Sequence, residues 1–126
     1  MPCFCLSSCN KTEKFDSGGK VGDYLDIVDK ADRNNEEIRI EGGCASACTM
    51  KLGAKKVCIY PDATLYFHQA SDPNTGAHSD LGTLILYSEY PPNVKKWVDK
   101  HHALDTISLT PMSGKEAISL GIKECK

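Results

Sequence analysis

Apolar residues recur along the chain at two spacings, which predict helices in some segments and strands in others. Helical spacing or small-residue content predicts helices over 19–32, 45–52, 80–89, 92–102 and 114–120. Alternation of apolar and polar residues predicts strands over 37–41, 56–60 and 64–68, and a terminal strand or tail over 121–125. This order is typical of an α/β fold with crossover helices and a thin sheet of three or four strands.

Three of these helices have an apolar face that we expect to lie against the core. On the first helix the face consists of Val21, Tyr24, Leu25, Val28 and Ala31. On the helix over 80–89 it consists of Leu81, Leu84, Ile85 and Ser88. On the helix over 92–102 it consists of Val94, Trp97 and Val98.

The segment 40–49 contains the first candidate for chemistry. A predicted strand is followed by Gly42 and Gly43, and Ser46 then lies between two alanines near the start of the predicted helix over 45–52. Free backbone N–H groups and the positive end of the helix dipole lie at such a turn, and a serine nucleophile requires both. The spacing is not that of the G-x-S-x-G elbow. A serine of ordinary structural role, packed between helix and sheet, explains the same residues, so both interpretations stay open.

A serine nucleophile needs a general base, and His68 is the candidate. It ends a predicted strand and shares a face with Thr64 and Tyr66, directly before a polar loop over 69–79. The alternative is a histidine with a structural hydrogen bond at the strand end. Three other histidines lie in polar surroundings and are expected to be solvated: His78, His101 and His102.

Composition limits the class of protein. The 126 residues fit one domain with a real core. A net charge of -2 and the lack of a basic stripe do not favour nucleic-acid binding. The sequence also contains no run of about 18 apolar residues that would predict a membrane span. We divide the chain into an N-terminal segment of uncertain order, 1–14, and an α/β domain, 15–126.

Seven cysteines fall into two groups. The N-terminal group consists of Cys3, Cys5 and Cys9, and the domain contains Cys44, Cys48, Cys58 and Cys125. The even set of four predicts two disulfides and an oxidising compartment, with four buried free thiols as the alternative. Neither group has the spacing of a strong zinc site, so we predict no metal.

The segment 6–9 is similar to the end of a bacterial lipoprotein signal, with Cys9 as the lipidated residue. Residues 1–5 include neither a cationic start nor a full apolar segment. We therefore predict no complete signal peptide in the chain. The compartment stays open, although the cysteines favour a periplasmic or other extracytoplasmic location.

Six segments, taken in order, carry a resemblance to a known family. They are 17–19, 42–48, 52–58, 61–63, 67–70 and 112–122. Together they resemble the Clp-type serine proteases of the ClpP/crotonase-like superfamily, over about residues 15 to 123. The closest likeness is to divergent, cysteine-containing, Clp-like bacterial proteins. The resemblance implies a short ClpP/crotonase-like βαβ sheet with flanking helices, truncated at the N-terminus.

The resemblance also implies a Ser-His-Asp triad that cleaves a peptide or protein substrate through an acyl-enzyme, without metal or cofactor. Ser46 would attack the carbonyl carbon, His68 would transfer the proton, and Asp105 would orient His68. Two alternatives to Asp105 are Asp72 and Asp80. The expected oxyanion donors are the N–H groups of Gly18 or Gly19 and of Ala47.

The cysteines at 44, 48, 58 and 125 depart from the family. Beside the resemblance they indicate two disulfides that brace the Ser46 helix and the C-terminus. One possible pairing is Cys44 with Cys125 and Cys48 with Cys58, but the connectivity stays open. Family members form rings or trimers, so the resemblance implies a homo-oligomer. The sequence contains no recognisable docking motif for an ATPase, and whether an ATPase partner acts with the protein stays open. Two other functions stay open, a non-catalytic Clp-like binding or assembly module and a thiol function of Cys44 and Cys48.

Overall fold

Residues 14–126, which the computed structural model describes, form a mixed α/β fold with seven short strands in two sheets. The strands are β1 (Phe15–Asp16), β2 (Ile38–Ile40), β3 (Gly43–Ala45), β4 (Val57–Ile59), β5 (Thr64–Phe67), β6 (Thr110–Ser113) and β7 (Lys123–Glu124). The helices are α1 (Val21–Arg33), a 3-10 helix (Ser46–Gly53), α2 (Asp80–Glu89), α3 (Pro92–His101) and α4 (Gly114–Ser119). The predictions for the N-terminal cysteines and for segment 6–9 lie outside the described residues.

The first sheet positions the candidate site. Its strand order is β1-β3-β5-β6, in which β1, β3 and β5 are parallel and β6 is antiparallel. Asp16 of β1 is in register with Cys44 of β3, and Ala45 of β3 is in register with Tyr66 of β5. Because parallel strands end at the same edge of a sheet, the residues that follow these three strands lie close together.

The second sheet contains β2, β4 and β7, all parallel. These strands lie in the segments predicted as strands, 37–41, 56–60 and 121–125, but a sheet separate from the first was not predicted. The chain passes from β2 to β3 within two residues. Gly42 makes this passage with a φ of +67°, and a Cβ at this position would overlap the carbonyl oxygen of Lys14. The prediction of one thin sheet was therefore wrong, because two glycines that indicate a turn serve here to move the chain from one sheet to the other.

The helices bury the faces that were predicted for α1 and α3. On α1 the buried residues are Tyr24, Val28 and Ala31, and on α3 they are Val94, Trp97 and Val98. The prediction for α2 was wrong for Leu81 and Leu84, which are 70% and 63% exposed, while Leu86 is buried and the predicted Ile85 packs partly buried against the core. This helix is apolar on several sides, so its periodicity does not identify the inner face.

An aromatic cluster anchors the end of β5. Phe67 is fully buried, and its ring centroid lies 5.4 Å from that of Tyr90 and 5.6 Å from that of Trp97. The Trp97 indole N–H donates to Glu116 in α4, at 2.9 Å. This packing fixes the backbone from which His68 projects.

The four cysteines of the domain form two disulfides, as predicted, but the pairing differs from the one considered above. Cys44 is bonded to Cys48, four residues away, and Cys58 is bonded to Cys125, 67 residues away. Strand pairing explains the second bond, because Cys58 of β4 lies opposite Lys123 of β7. The first bond joins the middle of β3 to the 3-10 helix that follows it.

Candidate active site

The ends of β1, β3 and β5 lead into one cavity of about 620 Å³. Gly18 and Gly19, here called the glycine turn, follow β1, while Ser46 follows β3 and His68 follows β5. The remaining lining residues include Val21, Ala70, Ser71, Pro73, Leu81, Ile85 and Leu86. The structure thus brings together three segments that are distant in the sequence.

Ser46 has an unusual backbone conformation. Its φ is +59°, in the left-handed region that residues other than glycine rarely adopt. Its side chain is half-buried at the start of the 3-10 helix, between the buried Ala45 and Ala47. Such a conformation costs about 1–3 kcal/mol, so the surrounding structure must hold it.

Two linked hydrogen bonds hold the backbone carbonyl group of Ser46. The Thr49 hydroxyl donates to the Ser46 carbonyl oxygen at 2.6 Å, so the Tyr90 hydroxyl, 2.6 Å from Thr49 Oγ1, must donate to Thr49. Burial raises the pKa of Tyr90, which keeps this donor protonated. The Cys44–Cys48 disulfide links the residues two positions before and two positions after Ser46.

His68 is half-buried, and its ring orientation identifies a tautomer. Its Nδ1 lies 2.5 Å from the carbonyl oxygen of Gln69. A carbonyl oxygen only accepts hydrogen bonds, so the proton of the neutral ring is on Nδ1. Nε2 is then the basic nitrogen, which is the form that a general base requires.

The glycine turn lies directly against Ser46. A Cβ on Gly18 would be 2.7 Å from the Ala45 carbonyl oxygen and 2.8 Å from Ser46 Cβ. The Gly18 N–H donates to Asp16 Oδ1 at 2.9 Å. By contrast, no group among residues 14–126 accepts a hydrogen bond from the N–H of Gly19 or of Ala47. Of the three predicted oxyanion donors, these two therefore remain able to bind an anion.

The carboxylates considered as third triad member all have other partners. Asp105 lies 3.0 Å from His102 Nδ1, in a second cavity of about 680 Å³. Asp80 lies 2.7 Å from His78 Nε2, and Asp72 accepts the N–H groups of Asn74 and Thr75. The loop after Asp105 does reach the site, because Thr106 accepts the Gln69 N–H at 2.8 Å. The Nδ1 of His68 is thus bonded to a backbone carbonyl and to none of these carboxylates.

Three residues near the site were missed by the sequence reasoning, namely Asp16, Thr49 and Tyr90. Asp16 lies two residues before Gly18, and an aspartate at that spacing before a glycine is a turn signal. Thr49 and Tyr90 are 41 residues apart and meet only through tertiary packing, so no local pattern indicates them.

Metal-binding clusters and membrane-spanning helices are both absent from residues 14–126. Within 14–126 no group of three or more His, Cys, Asp or Glu side chains is placed to hold a metal ion. Over the same range, none of the helices combines the length and the apolar character that a membrane crossing requires.

Comparison of the chain with protein-family models, with curated proteins and with solved structures finds no match. The geometry of the cavity and the residues that line it are therefore the indications of function.

We expect Gly18→Ala to lower the free energy of unfolding by about 1–3 kcal/mol, because the new Cβ meets backbone atoms and φ stays positive at +89°. Gly76→Ala is the matched control, since Gly76 has a φ of +75° but no atom within 4 Å of its Cβ position. Urea unfolding of both variants measures the difference. Equal losses at the two positions would contradict a close packing of the glycine turn against Ser46.

Proposed function

We propose that this protein is a serine hydrolase, a Clp-like peptidase with Ser46 as nucleophile and His68 as general base. The observation that carries the proposal is the shared cavity. The cavity is lined by a serine with positive φ at a helix start, by a histidine with a basic Nε2 and by a glycine turn. The same three segments carry the resemblance to the Clp-type proteases. This combination is what acyl transfer needs, namely a nucleophile, a base and backbone donors.

The reaction would follow the usual two steps of serine hydrolases. Ser46 Oγ attacks the carbonyl carbon while His68 Nε2 takes the hydroxyl proton, and His68 then protonates the leaving amine. Water hydrolyses the acyl-enzyme with His68 acting again as base. The contact of Nδ1 with the Gln69 carbonyl supports a catalytic pair of Ser46 and His68 without a carboxylate. The Gln69 carbonyl would hold the tautomer of His68, which is the role that the resemblance assigns to Asp105.

The oxyanion would be bound by the N–H groups of Gly19 and Ala47. Both groups lack an acceptor among the described residues, and Ala47 lies in the first turn of the 3-10 helix. Loss of one such donor typically lowers kcat by about 10²–10³-fold. The Gly18 N–H, which Asp16 accepts, is the less suitable of the two glycine donors.

The walls of the cavity favour an apolar side chain next to the cleaved bond. Val21, Leu81 and Ile85 line the cavity, and among residues 14–126 no carboxylate does. A peptide with an apolar residue on the acyl side is therefore the first substrate to test.

A non-catalytic Clp-like binding or assembly module is the second candidate. The observation in its favour is the placement of Asp105, whose carboxylate is bonded to His102 instead of His68. Exposed apolar side chains on α2 and in the 104–109 loop are consistent with a homo-oligomer in either case: Leu81, Leu84, Ile107 and Leu109.

Intact mass after incubation with a fluorophosphonate tests the proposal. Ser46 Oγ would form a bond to phosphorus, fluoride would leave, and His68 would take the hydroxyl proton. We expect one adduct on the wild type and none on Ser46→Ala. Ser71→Ala is the matched control, because Ser71 lines the same cavity, and it should be labelled like the wild type. No adduct on folded wild type would reject the hydrolase and favour the binding module.

A further inference from the structure

We propose that Asp16 is a positioning residue for this reaction, which locks the glycine turn against Ser46 so that the Gly19 N–H can bind the oxyanion. The inference rests on the proposed function and adds a role for a side chain that does not itself line the cavity of about 620 Å³.

The Asp16 carboxylate joins three elements of the site. Its Oδ1 accepts the Gly18 N–H at 2.9 Å and the Tyr24 hydroxyl of α1 at 2.5 Å. Its Oδ2 accepts Lys51 Nζ at 3.2 Å, and Lys51 belongs to the 3-10 helix that Ser46 begins. One side chain thus connects the glycine turn, the helix that follows it and the helix of the nucleophile.

The glycine turn needs such a lock because of its composition. Two consecutive glycines have the widest choice of backbone conformations, and Gly18 must adopt a φ of +89° next to Ser46. By accepting the Gly18 N–H, Asp16 selects one conformation. The following N–H, that of Gly19, is then the one left without an acceptor among the described residues.

The charge of Asp16 is compatible with a nearby oxyanion because Lys51 offsets it. Burial raises the pKa of Asp16, but the hydrogen bonds from Tyr24, Gly18 and Lys51 outweigh burial and hold this pKa below its ordinary value. Burial and the neighbouring Asp16 raise the pKa of Tyr24 to about 12. The carboxylate therefore stays an acceptor and Tyr24 stays a donor over the neutral range.

Saturation kinetics of fluorophosphonate labelling test the role of Asp16. We expect Asp16→Ala to lower the maximal labelling rate by about 10–100-fold, part of the loss that removal of an oxyanion donor causes. The half-saturating concentration should change little, because the turn acts on the transition state. Asp16→Asn keeps an Oδ1 acceptor for Gly18 and should recover most of the rate. Asp32→Ala is the matched control, since Asp32 accepts a backbone N–H from Lys55 at 2.9 Å without lining the cavity.

Two further measurements keep the inference falsifiable. Amide hydrogen exchange at Gly18 should accelerate in Asp16→Ala, and this readout does not depend on any activity. If Asp16→Ala does not fold, Lys51→Met replaces it and should lower the maximal rate several-fold, since the carboxylate charge would then face the oxyanion uncompensated.

The outcomes separate the two proposals. No adduct on the wild type would reject the hydrolase and with it the role of Asp16. A labelled wild type with an undiminished rate in Asp16→Ala would reject the role of Asp16 alone. The role of Asp16 would also be rejected if Asp16→Asn did not restore the maximal labelling rate. It would be rejected as well if Asp16→Ala changed the half-saturating concentration instead of the maximal rate.

Discussion

Replacement of His68 by Gln is expected to lower the maximal rate of fluorophosphonate labelling at Ser46 by about 10²–10⁴-fold, the usual contribution of a general base. Gln occupies a similar volume but carries no basic nitrogen, so the Ser46 proton has no acceptor of suitable strength. The 2.5 Å contact of Nδ1 with the Gln69 carbonyl places the lone pair on Nε2, which makes this nitrogen the candidate base. Stopped labelling reactions followed by intact mass give the rate.

His102→Gln is the control for this variant, because His102 lies in the other cavity with Asp105. It should be labelled at the wild-type rate, and a loss equal to that of His68→Gln would contradict the assignment of the base.

Asp105→Asn identifies the third member of the triad. In the observed geometry it should change the rate little, while a loss close to that of His68→Gln would assign the role to Asp105.

Removal of the Cys58–Cys125 disulfide is expected to lower the free energy of unfolding by about 4 kcal/mol, because the bond closes a loop of 67 residues. The other contacts at this end are the pairing of β7, whose two residues are exposed, and polar contacts such as Lys123 with Glu37 at 3.2 Å and Arg39 with the Lys126 carbonyl at 2.8 Å. A loss of this size is a large share of the about 5–15 kcal/mol that stabilises a typical domain. Denaturant unfolding of Cys58→Ala/Cys125→Ala without reductant measures it.

The Cys44–Cys48 bond provides the internal comparison. It closes a loop of only four residues, so Cys44→Ala/Cys48→Ala should lose about 2 kcal/mol by the same chain-entropy argument. Its larger consequence should be slower labelling of Ser46, which lies between the two cysteines. A greater loss of stability from this pair than from Cys58 and Cys125 would contradict the loop-length account.

Local periodicity determined the helices and some of the strands. Helix α1 and helix α3 have a polar face and an apolar face, so the spacing of residues such as Tyr24 and Trp97 was enough to identify the inner side. The presence of two disulfides was likewise predicted from the even number of cysteines in the domain. Ser46 and His68 were selected because each stands where a strand gives way to another element, which is a feature of the sequence itself.

Pairing between distant segments decided the rest. Strands of two or three residues, such as β1 and β3, contain too few positions for a period of two, so only their partners in the sheet define them. The strands of the second sheet lie in segments that the sequence predicted, 37–41, 56–60 and 121–125, but their separation from the first sheet was not available from local pattern. The buried face of α2 and the disulfide connectivity were not available either, and the Cys58–Cys125 bond joins residues 67 positions apart.

The site divides in the same way. The sequence by itself indicated candidates for a nucleophile, a base and a glycine turn, because these follow from the chemical properties of Ser46, His68, Gly18 and Gly19. Only the tertiary structure decided that three parallel strands bring them to one edge, that Asp105 is bonded to His102, and that Asp16 is bonded to the glycine turn. The physical reason is that a hydrogen bond of about 3 Å depends on side-chain direction, which packing between distant elements sets and local spacing does not.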